Sequence, residues 1–348
     1  MKKNSSKKPI SIILTDTHLN QKSVESNISI FRQVIDKAID LKLDVVYHLG
    51  DIFTNREGQT LNILIAFSKI IKMFEDAEVK LICLPGNHDK VFLNSNASYL
   101  DIFIRNNVFE VIDSPEFRDF DDFNVAFVPY YKEVDLYPEK LKSIISILNT
   151  NKKNILFTHI AVSGVMNNDG TVVNNNLDED LFSNFYKVFT GHYHNRSQVG
   201  DNIFYIGSAF PQNFGEDGEK GFTILYSDGS HDYFKPQFKE FIKIEVPIGQ
   251  IEHFLKEKAY TDLIEEGNEV RFIVSGESTE VKSLDRSRIT DLGISVQSKE
   301  DEIEKNIEEV ETVKLVSFNK SSVIPLYSEF CKENSYNSKE GLNYLNKL

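Results

Sequence analysis

Five short polar motifs lie between residues 16 and 194, and each contains an aspartate, an asparagine or a histidine that could bind a metal ion. They are DTH (16–18), GD (50–51), GNHD (86–89), TH (158–159) and GHYH (191–194). Their candidate ligands are Asp16, His18, Asp51, Asn87, His159, His192 and His194. Carboxylate oxygens combined with imidazole nitrogens suit first-row transition metals, whereas an all-oxygen set would suit magnesium or calcium. The motifs therefore predict a transition-metal site.

This set is too large for one ion, because an ion usually takes about three or four protein ligands. Two ions about 4 Å apart, bridged by one carboxylate, would use all of the candidates, and that spacing suits in-line displacement at phosphorus. Glycines precede three of the candidates, at Gly50, Gly86 and Gly191. Because glycine has no side chain, the backbone can turn sharply there and approach the ions.

The motifs follow segments that have the pattern of buried strands, and helical segments lie between these strands. Residues 10–16, 43–51 and 79–89 are predicted strands, and residues 29–41 and 60–77 are predicted helices. This alternation predicts parallel strands that are covered by helices. The carboxyl ends of such strands form the ligand crevice of an open α/β sheet, so five of the eight histidines would meet there.

The rest of the chain divides into further strands and a region of different character. Strands are predicted at 123–130, 153–159, 186–192 and 202–208, and the last ones could belong to a second sheet. After Pro236, strand-like residues 241–247, 269–276 and 294–298 and helix-like residues 279–293 predict a small α+β unit. We therefore expect domains at 1–238 and 239–320, followed by a C-terminal segment of two short helices at 321–348.

Three other histidines do not fit the ligand spacing. His48 lies in the middle of a predicted strand, so we expect it in the core or behind the ligands. His231 and His253 are expected at the surface. A lone histidine is more often a core residue than a ligand, so the ordered set of motifs is what favours metal binding.

The net charge of −14 argues against a nucleic-acid partner, because lysine and arginine supply most non-specific affinity for phosphate. Bound divalent cations would offset part of that charge. Residues 300–311 also concentrate seven acids and one lysine in what we expect to be a solvated helix face or linker, away from the site.

Two cysteines far apart in sequence fit a reducing compartment. No apolar run approaches the roughly 20 residues of a membrane helix, so we expect a cytoplasmic protein without a membrane partner.

The ordered motifs resemble those of the calcineurin-like metallophosphoesterases over residues 10–235. The resemblance implies an α/β sandwich of two β-sheets flanked by helices. It also implies two ligand sets: Asp16, His18, Asp51 and His194 for one ion, and Asp51, Asn87, His159 and His192 for the other. Asp51 would bridge the ions. His88 would face the scissile phosphate as a catalytic residue that stabilises charge or protonates the leaving oxygen, and Asp89 would orient His88.

Two further stretches resemble the Mre11/SbcD nucleases. They are YIGSAFPQNFGEDGEKGF (205–222) and GDIFTNREGQT (50–60). A small domain after the core is similar to the capping domain of these nucleases. The resemblance implies a DNA nuclease with 3′ to 5′ exonuclease and single-strand endonuclease activity, and two divalent ions, manganese or alternatively magnesium. It also implies a homodimer that acts with a Rad50/SbcC-type ATPase.

Two alternative functions remain open at the level of the sequence. The first is a phosphoesterase of the same superfamily that acts on another substrate, such as a phosphoprotein or a cyclic nucleotide; residues 205–222 and the C-terminal domain count against it. The second is a non-catalytic adaptor that recruits an ATPase to DNA. His88 argues against the adaptor, because a purely structural metal site does not need a histidine that is not a ligand.

Overall fold

The computed structural model describes residues 7–120, 123–149, 151–166, 171–175, 177–258, 260–299 and Cys331. The strands are β1 (Pro9–Leu14), β2 (Val45–His48), β3 (Lys80–Cys83), β4 (Phe109–Val111), β5 (Glu116–Asp119), β6 (Phe123–Val128), β7 (Lys153–His159), β8 (Lys187–Gly191), β9 (Ser197–Val199), β10 (Ile203–Tyr205), β11 (Phe222–Tyr226), β12 (His231–Phe234), β13 (Phe241–Pro247), β14 (Glu269–Ser275) and β15 (Ile294–Ser298). The α-helices are α1 (Val24–Leu41), α2 (Leu61–Asp76), α3 (Tyr137–Ile145), α4 (Ile251–Glu257), α5 (Thr261–Glu265), α6 (Ser278–Ser283) and α7 (Ser287–Thr290). Short 3-10 helices span Tyr99–Phe103, Glu179–Phe182 and Ile248–Gln250.

Two six-stranded mixed sheets carry most of the strands. The first has the order β12-β11-β1-β2-β3-β4, and the second has the order β5-β6-β7-β8-β10-β9. The predicted parallel pairing of the first three strands is confirmed, since β1 pairs in parallel with β2 and β2 with β3. The second sheet contains a parallel run of β6, β7, β8 and β10. All four strands predicted between residues 123 and 208 therefore lie in the second sheet.

The two sheets pack face to face through large apolar side chains. Tyr47 of β2 and Phe157 of β7 have ring centroids 5.1 Å apart, and both belong to a buried cluster with residues from both sheets. Burying one such side chain stabilises the fold by about 1.5–3 kcal/mol. Helices α1 and α2 pack against the other face of the first sheet, and α3 belongs to the apolar cluster of the second. The predicted sandwich of two sheets flanked by helices is confirmed.

Helix α1 shows how the sequence pattern directs this packing. Its buried residues include Ile30, Phe31, Val34, Ile35 and Ala38, which recur at intervals of three and four. This spacing puts them on one face of a helix, where they can cover the sheet. The helix begins at residue 24, five residues before the predicted start at residue 29.

A smaller sheet follows the sandwich, with the order β13-β14-β15. It has an apolar cluster of its own, which includes Val246, Phe272 and Ile289. The helix predicted over residues 279–293 is wrong as a single element, because the chain forms α6 and α7 with a break between them. The carboxylate of Asp285 accepts hydrogen bonds from the backbone N–H and the hydroxyl of Ser287 at the break, and such local bonds compete with helix formation.

The chain divides into units of residues 1–296 and 297–348, and residues 297–299 and Cys331 are described in the second. The predicted C-terminal helical segment lies outside the described residues except for Cys331, as does the acidic stretch at 300–311. Both cysteines are free and buried. Within the described ranges, every helix is too short or too polar to cross a lipid bilayer.

Candidate metal centre

The predicted ligands come together at the carboxyl ends of the parallel strands. They form two groups, Asp16 with His18 and His194, and Asp51 with His159 and His192. The potential ligand atoms within each group lie within 4.8 Å of one another. Parallel pairing explains this arrangement, because it brings the ends of strands that are distant in sequence to one edge of the sheet.

In the first group, two imidazole rings face each other across a very short distance. His18 Nε2 lies 3.0 Å from His194 Nε2. The carboxylate of Asp16 is close to both rings, with Oδ1 3.7 Å from His18 Nε2 and 4.0 Å from His194 Nε2. Two nitrogens and a carboxylate oxygen that converge in this way form a donor set suited to a transition-metal ion.

Asn87 lies beside the second group. Its side-chain amide is 3.1 Å from His159 Nε2 and 3.0 Å from His192 Nδ1. Asp51 Oδ2 lies 3.3 Å from His159 Nε2. The side chains of Asp51, Asn87, His159 and His192 therefore converge on one small volume.

Asp51 lies between the two groups. Its Oδ2 atom is 3.7 Å from His18 Nε2 in the first group and 3.3 Å from His159 Nε2 in the second. Its Oδ1 atom accepts a hydrogen bond from the backbone N–H of His88 at 2.8 Å, which fixes the orientation of the carboxylate. One oxygen of Asp51 is thus near both groups, as a bridging ligand requires.

The backbone is strained at the ligands themselves. Asp16, His18, Asp51 and His192 have φ angles of 51°, 41°, 56° and 85°, in the left-handed region that non-glycine residues seldom adopt. Hydrogen bonds between the two loops hold this geometry, with Asp16 N donating to Gly50 O at 3.0 Å and His18 N donating to Asp51 O at 3.1 Å. Strain of this kind clusters at functional sites.

Two of the predicted glycines are needed for close approach. A Cβ atom at Gly86 would clash with the carboxylate and backbone of Asp51, and one at Gly191 would clash with the hydroxyl of Thr15. These positions lie directly before Asn87 and His192, so any side chain here would displace a ligand.

Hydrogen bonds to the other ring nitrogen orient two of the ligands. His159 Nδ1 donates to Leu49 O at 2.7 Å, and His194 Nδ1 donates to Glu216 Oε1 at 2.9 Å. Each bond leaves Nε2 free to bind an ion. Glu216 also forms an ion pair with Lys220 at 3.2 Å, and both side chains are fully buried.

Burial and nearby charge shift the pKa values of three of these histidines in ways that suit metal binding. Burial lowers the pKa of His18 and of His192 to about 3, so both rings are neutral and have a lone pair available. Burial acts in the same direction on His159, but the carboxylate of Asp51 raises the pKa of that histidine to about 9. The residues present therefore fit two cations, which would replace the proton that His159 holds beside Asp51.

His88 and Asp89 have different surroundings from those predicted. His88 Nδ1 donates to the carbonyl of Thr54 at 2.6 Å, so Thr54 orients this ring. The carboxylate of Asp89 is fully buried and accepts from the backbone N–H groups of Asp51, Phe53 and Gly86 at 2.9–3.0 Å. The expected orientation of His88 by Asp89 is therefore corrected: Asp89 holds the two ligand loops together.

His48 is a buried residue behind the ligands. Gly50 N donates to His48 Nδ1 at 3.2 Å, and the other ring nitrogen bonds to Thr17 Oγ1 at 3.0 Å. The ring thereby links the loops that follow β1 and β2, in agreement with its predicted place in the core or behind the ligands.

Sequence reasoning missed Arg56, Glu216 and Lys220 as site residues. Arg56 is exposed, and its guanidinium donates to His88 Nε2 at 3.1 Å. Tyr99 fixes the backbone of this arginine through a bond from its hydroxyl to Arg56 O at 2.8 Å. All three missed residues lie inside the stretches 50–60 and 205–222. Glu216 and Lys220 have opposite charges and are four residues apart, and this spacing could have indicated their ion pair.

Comparison with known proteins places this geometry in a family. The family model described as calcineurin-like phosphoesterase matches residues 11–278. Exonuclease subunit 1 of Enterobacteria phage T4 is 24% identical over 64% of this chain and 66% of its own length. The SbcD subunit of the nuclease SbcCD of Staphylococcus saprophyticus is 26% identical over 65% of this chain and 67% of its own length.

A third relative covers less of each chain. The DNA double-strand break repair protein Mre11 of Saccharolobus solfataricus is 29% identical over 45% of this chain and 42% of its own length. The chain thus spans about two thirds of the phage and staphylococcal relatives and under half of the archaeal one. The family match covers most of the chain and includes every predicted ligand. The chain therefore belongs to the calcineurin-like phosphoesterase family, and its predicted class, a metal-dependent phosphoester hydrolase, is that of the family.

Proposed function

We propose that this chain is a DNA nuclease that uses two divalent cations, with 3′ to 5′ exonuclease and single-strand endonuclease activity. The observation that carries the proposal is the position of Asp51 Oδ2, within 3.7 Å of a ring nitrogen from each ligand group. The names of the three relatives, an exonuclease subunit, a nuclease subunit and a double-strand break repair protein, support DNA as the substrate.

Two ligand sets would hold the ions. Asp16, His18, Asp51 and His194 form one, and Asp51, Asn87, His159 and His192 form the other. When bound, two such cations supply Lewis acidity and activate water for in-line displacement at phosphorus. The mixture of oxygen and nitrogen donors favours manganese over magnesium.

Two side chains beside the ligands would act on the substrate. The ring of His88 lies 4.9 Å from the ring of His18, centroid to centroid, so it lies beside a proposed ligand without being needed as one. Once Arg56 has left Nε2 and that nitrogen has taken up a proton from solvent, His88 can donate this proton to the departing sugar oxygen. The guanidinium of Arg56 can move from His88 to a phosphate oxygen, where its planar donors form charge-assisted hydrogen bonds.

We also propose that two copies of the chain pair through an apolar surface formed by α2 and residues 91–104. Leu61, Phe92 and Ile102 on this surface are 71%, 76% and 62% exposed. The α2 helix and the 3-10 helix at Tyr99–Phe103 pack together, since Phe67 and Phe103 have ring centroids 5.0 Å apart. Exposed apolar residues on adjoining elements are typical of protein–protein contacts.

A Rad50/SbcC-type ATPase is the partner that we propose for the C-terminal segment, residues 321–348. The phage and staphylococcal relatives are both named as subunits, which supports a second kind of chain in the assembly.

The three-stranded sheet supports a capping domain at 239–320, because it has its own apolar cluster and the proposed boundary at residue 238 lies between β12 and β13.

The test is digestion of DNA by the purified chain in manganese, with and without the ATPase. End-labelled duplexes report 3′ to 5′ exonuclease activity, and circular single strands report endonuclease activity. We expect both substrates to be degraded, and we expect a chelator to stop the reaction. Cleavage of p-nitrophenyl phosphate esters without cleavage of DNA would favour a phosphoesterase with another substrate. If neither the esters nor DNA were cleaved, the non-catalytic adaptor would be favoured.

A further inference from the structure

One loop touches ligands of only one of the two groups. Residues 211–220, here called the backing loop, follow the last predicted ligand. Gln212 Nε2 donates to the carbonyl of Asp16 at 2.7 Å, and Glu216 Oε1 accepts from His194 Nδ1 at 2.9 Å. Asp16 and His194 both belong to the first ligand group.

Internal bonds make the backing loop a rigid connector. Asn213 Oδ1 accepts from Gly215 N at 2.7 Å, and Asn213 Nδ2 donates to Glu216 Oε1 at 2.9 Å. Glu216 Oε2 accepts from Gln212 N at 3.3 Å and pairs with the buried ammonium of Lys220 at 3.2 Å. A displacement of the loop would therefore move the Glu216 carboxylate with it.

The same loop is held at its tip by the three-stranded sheet. The ring of Phe214 packs edge-to-face with Phe241 of β13, with centroids 5.0 Å apart. The guanidinium of Arg271 in β14 lies 3.9 Å from the centroid of the Phe214 ring, which is cation–π geometry. Phe214 and Glu216 are two residues apart, so one short loop joins this sheet to the first ligand group.

The second ligand group has a separate support. His159 Nδ1 is held by the carbonyl of Leu49, which directly follows β2, and Asn87 lies in the loop after β3. Leu49 and Asn87 both belong to the sandwich and not to the three-stranded sheet. A change at Phe214 would thus act directly on the first group and reach the second only through the bond from His192 N to Asp16 Oδ2 at 3.1 Å and through Asp51.

We propose that Phe214 is a positioning residue through which the three-stranded sheet sets the affinity of the first ligand group for its ion. The sheet acts on Glu216, and Glu216 sets the orientation of the His194 ring. The second group depends less on the sheet, because His159 is held by Leu49 of the sandwich. This proposal rests on the two-ion centre described above, and it adds a means by which a shift of Phe241 or Arg271 away from Phe214 would change the affinity for one ion.

Calorimetric titration of the metal-free, full-length chain with manganese tests this proposal. The original chain should show two binding events. Phe214→Ala should weaken one event about 10- to 100-fold, the range for losing an outer partner of a metal ligand, and change the other less than about twofold. Phe214→Tyr keeps the ring and should bind both ions as the original chain does.

The matched control is Phe254→Ala. Phe254 packs against Phe272 inside the cluster of the three-stranded sheet, with ring centroids 6.5 Å apart, and is remote in sequence from the backing loop. Its loss should leave both binding events unchanged. Two unchanged events in Phe214→Ala, or equal weakening of both, would overturn the proposal while leaving the two-ion centre intact. A single event in the original chain would refute the two-ion centre itself.

Discussion

His18 and His194 direct their Nε2 atoms at each other across 3.0 Å, although 176 residues separate them in the sequence. Two ring nitrogens at this distance must share a proton or a cation, because two lone pairs would repel each other. The carboxylates of Asp16 and Asp51 lie within 4.0 Å of the same pair, so a cation is the better partner.

Manganese is therefore expected to stabilise the folded chain. An ion that binds only the native state adds about 2.7 kcal/mol at a free concentration one hundred times its dissociation constant. Thermal denaturation with and without manganese measures the effect, and a chelator should reverse it. An unchanged melting temperature at millimolar manganese would contradict the metal assignment.

His88 is expected to be essential for cleavage and dispensable for metal binding. His88→Asn should lower kcat by about 10²- to 10⁴-fold, the usual contribution of a general acid, with both ions retained. Metal content and kcat on single-stranded DNA are measured together, and the surface variant His253→Asn serves as the control. A variant that loses one ion would show that His88 is a ligand.

Asp89 is expected to support the fold of the site and not the chemistry. Asp89→Ala would leave the backbone N–H groups of Asp51, Phe53 and Gly86 without their acceptor. Each unsatisfied buried group costs about 1–3 kcal/mol, so the free energy of unfolding should fall by roughly 3 kcal/mol or more. Urea denaturation measures the loss, with the exposed Asp40→Ala as the control. Unchanged stability with lost activity would restore a catalytic role.

Pairing of two copies is expected to depend on the apolar surface of α2 and residues 91–104. Phe92→Glu should convert the dimer to a folded monomer, because a charge cannot be buried in an apolar contact without a partner. Light scattering gives the mass in solution. Val134, which is 65% exposed, provides Val134→Glu as a control that should remain dimeric. A Phe92→Glu protein that keeps the mass of the original chain would place the contact elsewhere.

The ligands could be predicted because each ends or follows a strand with a clear apolar pattern, and parallel strands bring such positions to one edge. The contacts of Asp89, Thr54 and Glu216 could not be predicted in the same way. Their partners are backbone groups or side chains on other loops, and their positions depend on how those loops pack. The break between α6 and α7 was also missed, because the local bonds of Asp285 outweigh a helical pattern.

The central claim is that two ions share Asp51. Removing a shared ligand should affect both ions, whereas removing a ligand of one group should affect only that group. The direct test is calorimetric titration of the original chain, His18→Ala and Asp51→Asn with manganese. We predict two binding events in the original chain, one event of nearly unchanged affinity in His18→Ala, and weakening of both events in Asp51→Asn. Loss of one ion alone in Asp51→Asn would contradict the bridge.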